Sequence, residues 1–106
     1  MAREKFQPRT EQMFYILLCL RQELCGTDVM THVKELTHGR VSVGPGTLYN
    51  LLESFLQAGY IRETKVEGRK RSYLITQAGQ QALEEEYRRL QTLTADYESL
   101  TGGAHP

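Results

Sequence analysis

At 106 residues, 40% of them hydrophobic, the chain is long enough for one small domain with a modest core and too short for a large enclosed active site. Thirteen Lys and Arg balance thirteen Asp and Glu, but the neutral total hides a polarised molecule: residues 60–76 carry a formal charge of +3, residues 77–106 carry −3, and residues 1–59 carry zero. No run reaches the roughly 18 apolar residues of a membrane span, Met1-Ala2-Arg3-Glu4-Lys5-Phe6 lacks a signal peptide's apolar core, and Cys19 and Cys25 form neither a disulfide framework nor a CxxC motif. These features read as a reduced, cytoplasmic chain without a membrane partner.

The predicted elements are mostly helical. Thr10 caps a first helix and Glu11 suits its electropositive first turn; the helix is expected to run to about Leu24. Met13, Ile16, Leu17, Leu20 and Leu24 make one apolar face, while Phe14 and Leu18 point elsewhere. A helix apolar on most sides must be covered from two directions, and in so small a domain a second subunit is the expected cover. Gly26 breaks that helix, and Thr27 or a neighbour starts a second one carrying Val29, Met30, Val33 and Leu36, which His38-Gly39 closes. Val41-Ser42-Val43 is a short extended link.

The segment Gly44-Pro45-Gly46-Thr47-Leu48-Tyr49-Asn50-Leu51-Leu52 starts a third helix, expected over 45–58, because a proline in the first turn loses no hydrogen bond. Leu48, Leu51, Leu52, Phe55 and Leu56 recur at helical spacing, leaving Thr47, Tyr49, Asn50, Glu53, Ser54 and Gln57 outside. That polar face can be ordinary solvent surface, or it can meet DNA phosphates and base edges as recognition helices do. Beyond Gly59, two runs of strand formers flank the turn signal Glu67-Gly68, so residues 60–76 read as a hairpin with Arg69-Lys70-Arg71 near its tip. Cations at a tip are often just a soluble turn, but beside a one-sided helix they have the layout of a wing. A long last helix begins near Thr76 or Gln77. Leu83, Tyr87, Leu90, Thr94 and Tyr97 step by four, three, four and three, a seam that serves either a coiled-coil dimer or a helix folded back on its own domain.

The expected fold is thus mainly α with a small β-hairpin: a winged helix-turn-helix over residues 1–76, a C-terminal dimerisation helix over 77–101 and a tail over 102–106. Phe14, Leu18, Leu83, Tyr87, Leu90 and Tyr97 are the expected dimer interface. Met13, Phe14, Tyr15 and Leu90 are where a small aromatic or lipophilic effector is expected, with a filled core as the alternative.

The chain resembles the PadR family of transcriptional regulators, in its short subgroup with a single C-terminal helix. The resemblance spans Thr10 to Leu90 and rests on Gly44-Pro45-Gly46-Thr47-Leu48-Tyr49, on Gly59-Tyr60-Ile61, and on Arg71-Ser72-Tyr73-Leu74-Ile75-Thr76-Gln77-Ala78-Gly79. It implies a homodimeric winged-helix repressor that reads a palindromic operator with its third helix and wings and that answers to a small molecule. The chain departs from the family pattern at Thr27 and Ser72, where aromatic residues are usual, and it contains no Trp for stacking flat ligands; Leu90 lies near the place such a Trp would occupy.

Toward double-stranded DNA, Thr47 and Tyr49 are expected on phosphates, Asn50 and Ser54 on base edges, and Lys65, Arg69, Lys70 and Arg71 on backbone. Asp28 and His32 share a helix face but do not make a metal site, no nucleophile has an evident activating pair, and Gly44-Pro45-Gly46 lacks a phosphate loop's lysine. Neither cofactor nor catalysis is expected. The competing reading is a winged-helix protein-interaction module that binds no nucleic acid.

Overall fold

The computed structural model describes residues 10–102. Four helices and three short strands follow in the order α1 (Glu11–Cys19), β1 (Leu24–Cys25), α2 (Gly26–Leu36), α3 (Pro45–Ala58), β2 (Ile61–Glu67), β3 (Lys70–Ile75) and α4 (Gln77–Leu100). The start of the chain and the tail from residue 103 onward, with His105, lie outside the described residues.

Local chemistry sets most boundaries. Thr10 accepts from the Met13 amide and so caps α1, and Thr76 caps α4 in the same way through the Gly79 amide. Pro45 sits in the first turn of α3, and Gly59, at φ 79°, ends it in the left-handed conformation that only glycine adopts at no cost. α2 stops at Leu36, and the reversal follows through His38 and Gly39, both at positive φ. Thr37, buried there, shares its hydroxyl proton between the Val33 and Val41 carbonyls and accepts from the Val41 amide, so both backbone groups of Val41 are satisfied without water.

α1 ends earlier than expected, at Cys19 rather than near Leu24. After a turn over 20–23, Leu24 and Cys25 pair antiparallel with Tyr73 and Ser72 of β3, giving a three-stranded sheet in the order β1-β3-β2. The third strand of the winged helix therefore precedes α2, while Val41-Ser42-Val43 is a link outside the sheet that begins in a bend. Backbone pairing with β3 offers Leu24 and Cys25 partners that a further helical turn would not.

The core gathers Ile16 and Leu17 from α1 and Leu20 from its C-cap, Val29 and Val33 from α2, and Leu48, Leu52 and Phe55 from α3, all of them fully buried or within 1% of it. α4 joins it through Ala82 and Leu83, so packing does not end at residue 76. The motif fragments around Gly59 and Gly79 meet here. The Thr76 amide donates to the Tyr60 carbonyl, and a Cβ on Gly79 would lie 2.0 Å from that same oxygen, so only glycine lets α4 start this close to the wing. Beyond Glu86, α4 has no buried residue and leads away from the domain.

Candidate nucleic-acid interface

The apolar stripe of α3 turns Leu48, Leu52 and Phe55 inward and leaves Thr47, Tyr49, Asn50 and Glu53 exposed. Alongside lies the wing. Gly68, at φ 62°, and Arg69 close the two-residue turn between β2 and β3, where Glu67 pairs with Lys70 and Val66 with Arg71. Between α3, the start of α2 and the wing runs a groove of about 550 Å³, with Leu52, Leu56 and Tyr73 among its apolar lining, Tyr49 and Glu53 on the helix side and Arg69, Lys70 and Arg71 on the wing side. Of the residues expected to act together, Tyr49, Arg69, Lys70 and Arg71 border this cleft, whereas Thr47, Asn50, Ser54 and Lys65 do not line it.

Not every expected contact is equally free. Ser54 is half-buried and donates its hydroxyl to the Asn50 carbonyl at 3.1 Å, which engages its proton within the helix and leaves its oxygen able to accept. Arg71 pairs with Glu63 at 3.4 Å. The pair depends on a β-bulge: Glu63 faces Tyr73 and Lys65 faces Ser72, leaving Thr64 as the extra residue and bringing Glu63 onto the face that carries Tyr73 and Arg71. Burial pushes the Tyr73 phenol upward in pKa, with the Glu63 charge adding to that rise and Arg71 opposing it. Arg69, Lys70 and Lys65 are exposed and have no ion pair among the described residues.

The other expected surfaces divide. Leu83, at 4% exposure, and Met13, at 9%, belong to the chain's own core, and so neither is available to an interface or an effector pocket as expected. Tyr15 accepts a 2.9 Å hydrogen bond from Arg40, which also reaches Glu11 at 3.3 Å; both contacts hold the guanidinium proton more tightly, the Tyr15 bond most. With Gln12 donating to the Ser42 carbonyl, this network ties α1 to the link that leads into α3. Phe14 and Leu18 pack partly buried against the core. Tyr87, Leu90 and Tyr97 remain open, at 54%, 38% and 62%, and Leu93 and Leu100 beside them are exposed as well. Glu86 is buried and paired with Arg89.

Three helices around a small antiparallel sheet, with a basic hairpin beside the third helix, define a winged-helix protein. The chain belongs to the transcriptional regulator PadR-like family, whose model matches residues 16–85. Solved structures agree in fold. A transcriptional regulator from Clostridium thermocellum superposes with a TM-score of 0.73 at 19% identity, covering 81% of this chain and 88% of that one. A PadR-like transcription factor from Bacteroides fragilis gives 0.71 at 24% identity, over 82% and 86%. Bacillus subtilis PadR, solved in complex with operator DNA, gives 0.64 at 26% identity, over 81% of this chain and 57% of that one. No curated protein sequence matched the chain. No helix among the described residues is long and apolar enough to cross a membrane.

Proposed function

We propose that this transcriptional regulator binds a palindromic operator as a homodimer and represses by occluding a promoter. The observation that carries the reading is the shared groove: Tyr49 and Glu53 of α3 line one side and Arg69, Lys70 and Arg71 the other, so a helix in the major groove would bring the wing to flanking phosphates. Thr47 and Tyr49 then meet phosphates, Asn50 reads a base edge, and Lys65, Arg69, Lys70 and Arg71 neutralise backbone. Asn suits adenine, to which it offers a bidentate pair. Glu53 repels phosphate unless it accepts from a cytosine amino group.

The dimer half of the proposal rests on Tyr87, Leu90, Leu93 and Tyr97, apolar or aromatic side chains that the chain's own fold leaves uncovered on α4, together with half-buried Phe14 and Leu18 of α1. Residues 77–101 then serve as the dimerisation helix, and two copies of α3 would enter successive major grooves roughly 34–36 Å apart. An aromatic or lipophilic effector would act at that seam near Phe14 and Leu90, by binding one arrangement of the two DNA heads better than another. Sequencing the DNA retained by the purified protein tests the proposal. A recovered palindrome is expected; retention of no DNA above background at low salt would favour a protein-interaction module, and a single non-repeated half-site would remove the dimer.

A further inference from the structure

Gly26 opens α2 with an ordinary backbone. It is not among the glycines at positive φ, which are Gly39, Gly59, Gly68 and Gly102 in the described chain, and the first position of a helix accepts any residue of normal φ. What a side chain here would meet is a matter of space, not of conformation. A Cβ at position 26 would lie 2.6 Å from the Tyr49 hydroxyl oxygen, 2.9 Å from Cε1 and 3.0 Å from Cζ. The end of the Tyr49 ring therefore rests on bare α2 backbone, at the point where Cys25, Gly26 and Thr27 line the groove.

We infer that Gly26 is a positioning residue for DNA binding: its missing side chain is the seat that holds the Tyr49 ring at the mouth of the groove, with the hydroxyl aimed at a phosphate oxygen on the strand that passes between α3 and the wing. This rests on the proposal that the α3 face meets DNA. Tyr49 is 47% exposed, so the ring has solvent on its other side and can swing outward when the seat is filled. The clash falls on the far end of a mobile side chain and not on backbone. Filling the seat should thus cost little stability while removing the hydroxyl from the strand.

The test is a double-mutant cycle on operator DNA. Gly26→Ala is expected to melt within a few degrees of the parent protein yet bind about tenfold more weakly, the worth of one hydrogen bond to a charged acceptor, and Tyr49→Phe should lose about as much. In a Tyr49→Ala background, Gly26→Ala should change affinity by less than about twofold. The slope of log affinity against log salt should be the same in all variants, because no cation is lost. Full affinity in Gly26→Ala, or an additive loss in the Tyr49→Ala background, overturns the inference while leaving the DNA-binding proposal standing. If Gly26→Ala and the double variant both unfold, the glycine serves the fold and the inference fails. A parent protein that binds no DNA sinks the functional proposal and this inference with it.

Discussion

α3 and the distal half of α4 are both helices with one uncovered face, and the difference between those faces separates two kinds of surface. On α3 the apolar stripe of Leu48, Leu52 and Phe55 is consumed by the domain, and what stays outside is a hydroxyl, a phenol, an amide and a carboxylate next to free cations. On α4 the stripe is consumed only as far as Glu86. Past that point the uncovered groups are Tyr87, Leu90, Leu93, Tyr97 and Leu100, beside acids and arginines already paired along the helix, as Arg88 is to Glu84 at 3.6 Å. Polar exposure costs nothing in water and invites a polar partner, whereas a row of exposed leucines and tyrosines keeps its hydrophobic gain in reserve for another apolar surface.

The largest expected effect comes from breaking the second surface. Leu90→Asp should yield monomers in sedimentation at concentrations where the parent chain is a dimer, because a desolvated carboxylate has no partner in an apolar seam. Circular dichroism should be unchanged, since Leu90 is half out of its own domain; a persistent dimer would put the seam elsewhere. Leu52→Ala sharpens the contrast from the other side of α3. It should cost about 2–5 kcal/mol in denaturant unfolding by opening a core cavity, and its loss of DNA binding should follow the unfolded fraction. Asn50→Ala, two residues away on the exposed face, should leave stability alone and cost about 1–3 kcal/mol on the preferred site with little change on random DNA. Equal losses on both would make Asn50 a backbone contact.

The smallest effect belongs to the wing's internal pair. Glu63→Gln frees Arg71 from the only acid it pairs with among the described residues and should strengthen DNA binding nonspecifically, by about 1 kcal/mol or less as befits a partly exposed pair. The comparison to make is with Arg69, which has no such acid. Arg69→Ala should flatten the salt plot by about one unit, while Arg71→Ala should flatten it less as long as Glu63 is present and equally once Glu63 is Gln. Identical slopes for the two arginines in the parent protein would mean that the Glu63 contact is lost before DNA arrives.

Much of this arrangement is legible in residue order. Gly-Pro at the start of α3, glycine at its end and threonine caps on α1 and α4 are local signals, and the structure keeps them because nothing in the packing competes. The parts that were not legible are those where distant backbone decides. A two-residue strand has no periodicity of its own, so Leu24-Cys25 reads as the end of a helix until β3 is present to pair with it. Glu63 meets Arg71 only through the bulge at Thr64; a regular hairpin counted back from Gly68 would turn Glu63 to the opposite face. Ser54 satisfies its hydroxyl within its own helix, a choice its neighbours in sequence do not announce. Leu83 and Leu90 lie seven residues apart on one apolar seam, and no pattern says where along it the chain's own core gives out.

The central claim is that one end of this small protein meets DNA while the far half of α4 meets a second copy. The most direct test is sedimentation of labelled duplex carrying the selected site, titrated with parent protein and with Leu90→Asp. Two chains per duplex are expected for the parent at all saturating concentrations, with no detectable complex of one. Leu90→Asp should pass through a single-chain complex and bind the full site far more weakly, although every DNA-facing residue is intact. A parent protein that saturates the duplex as one chain, or a Leu90→Asp variant that binds the full site as tightly as the parent, would contradict the account.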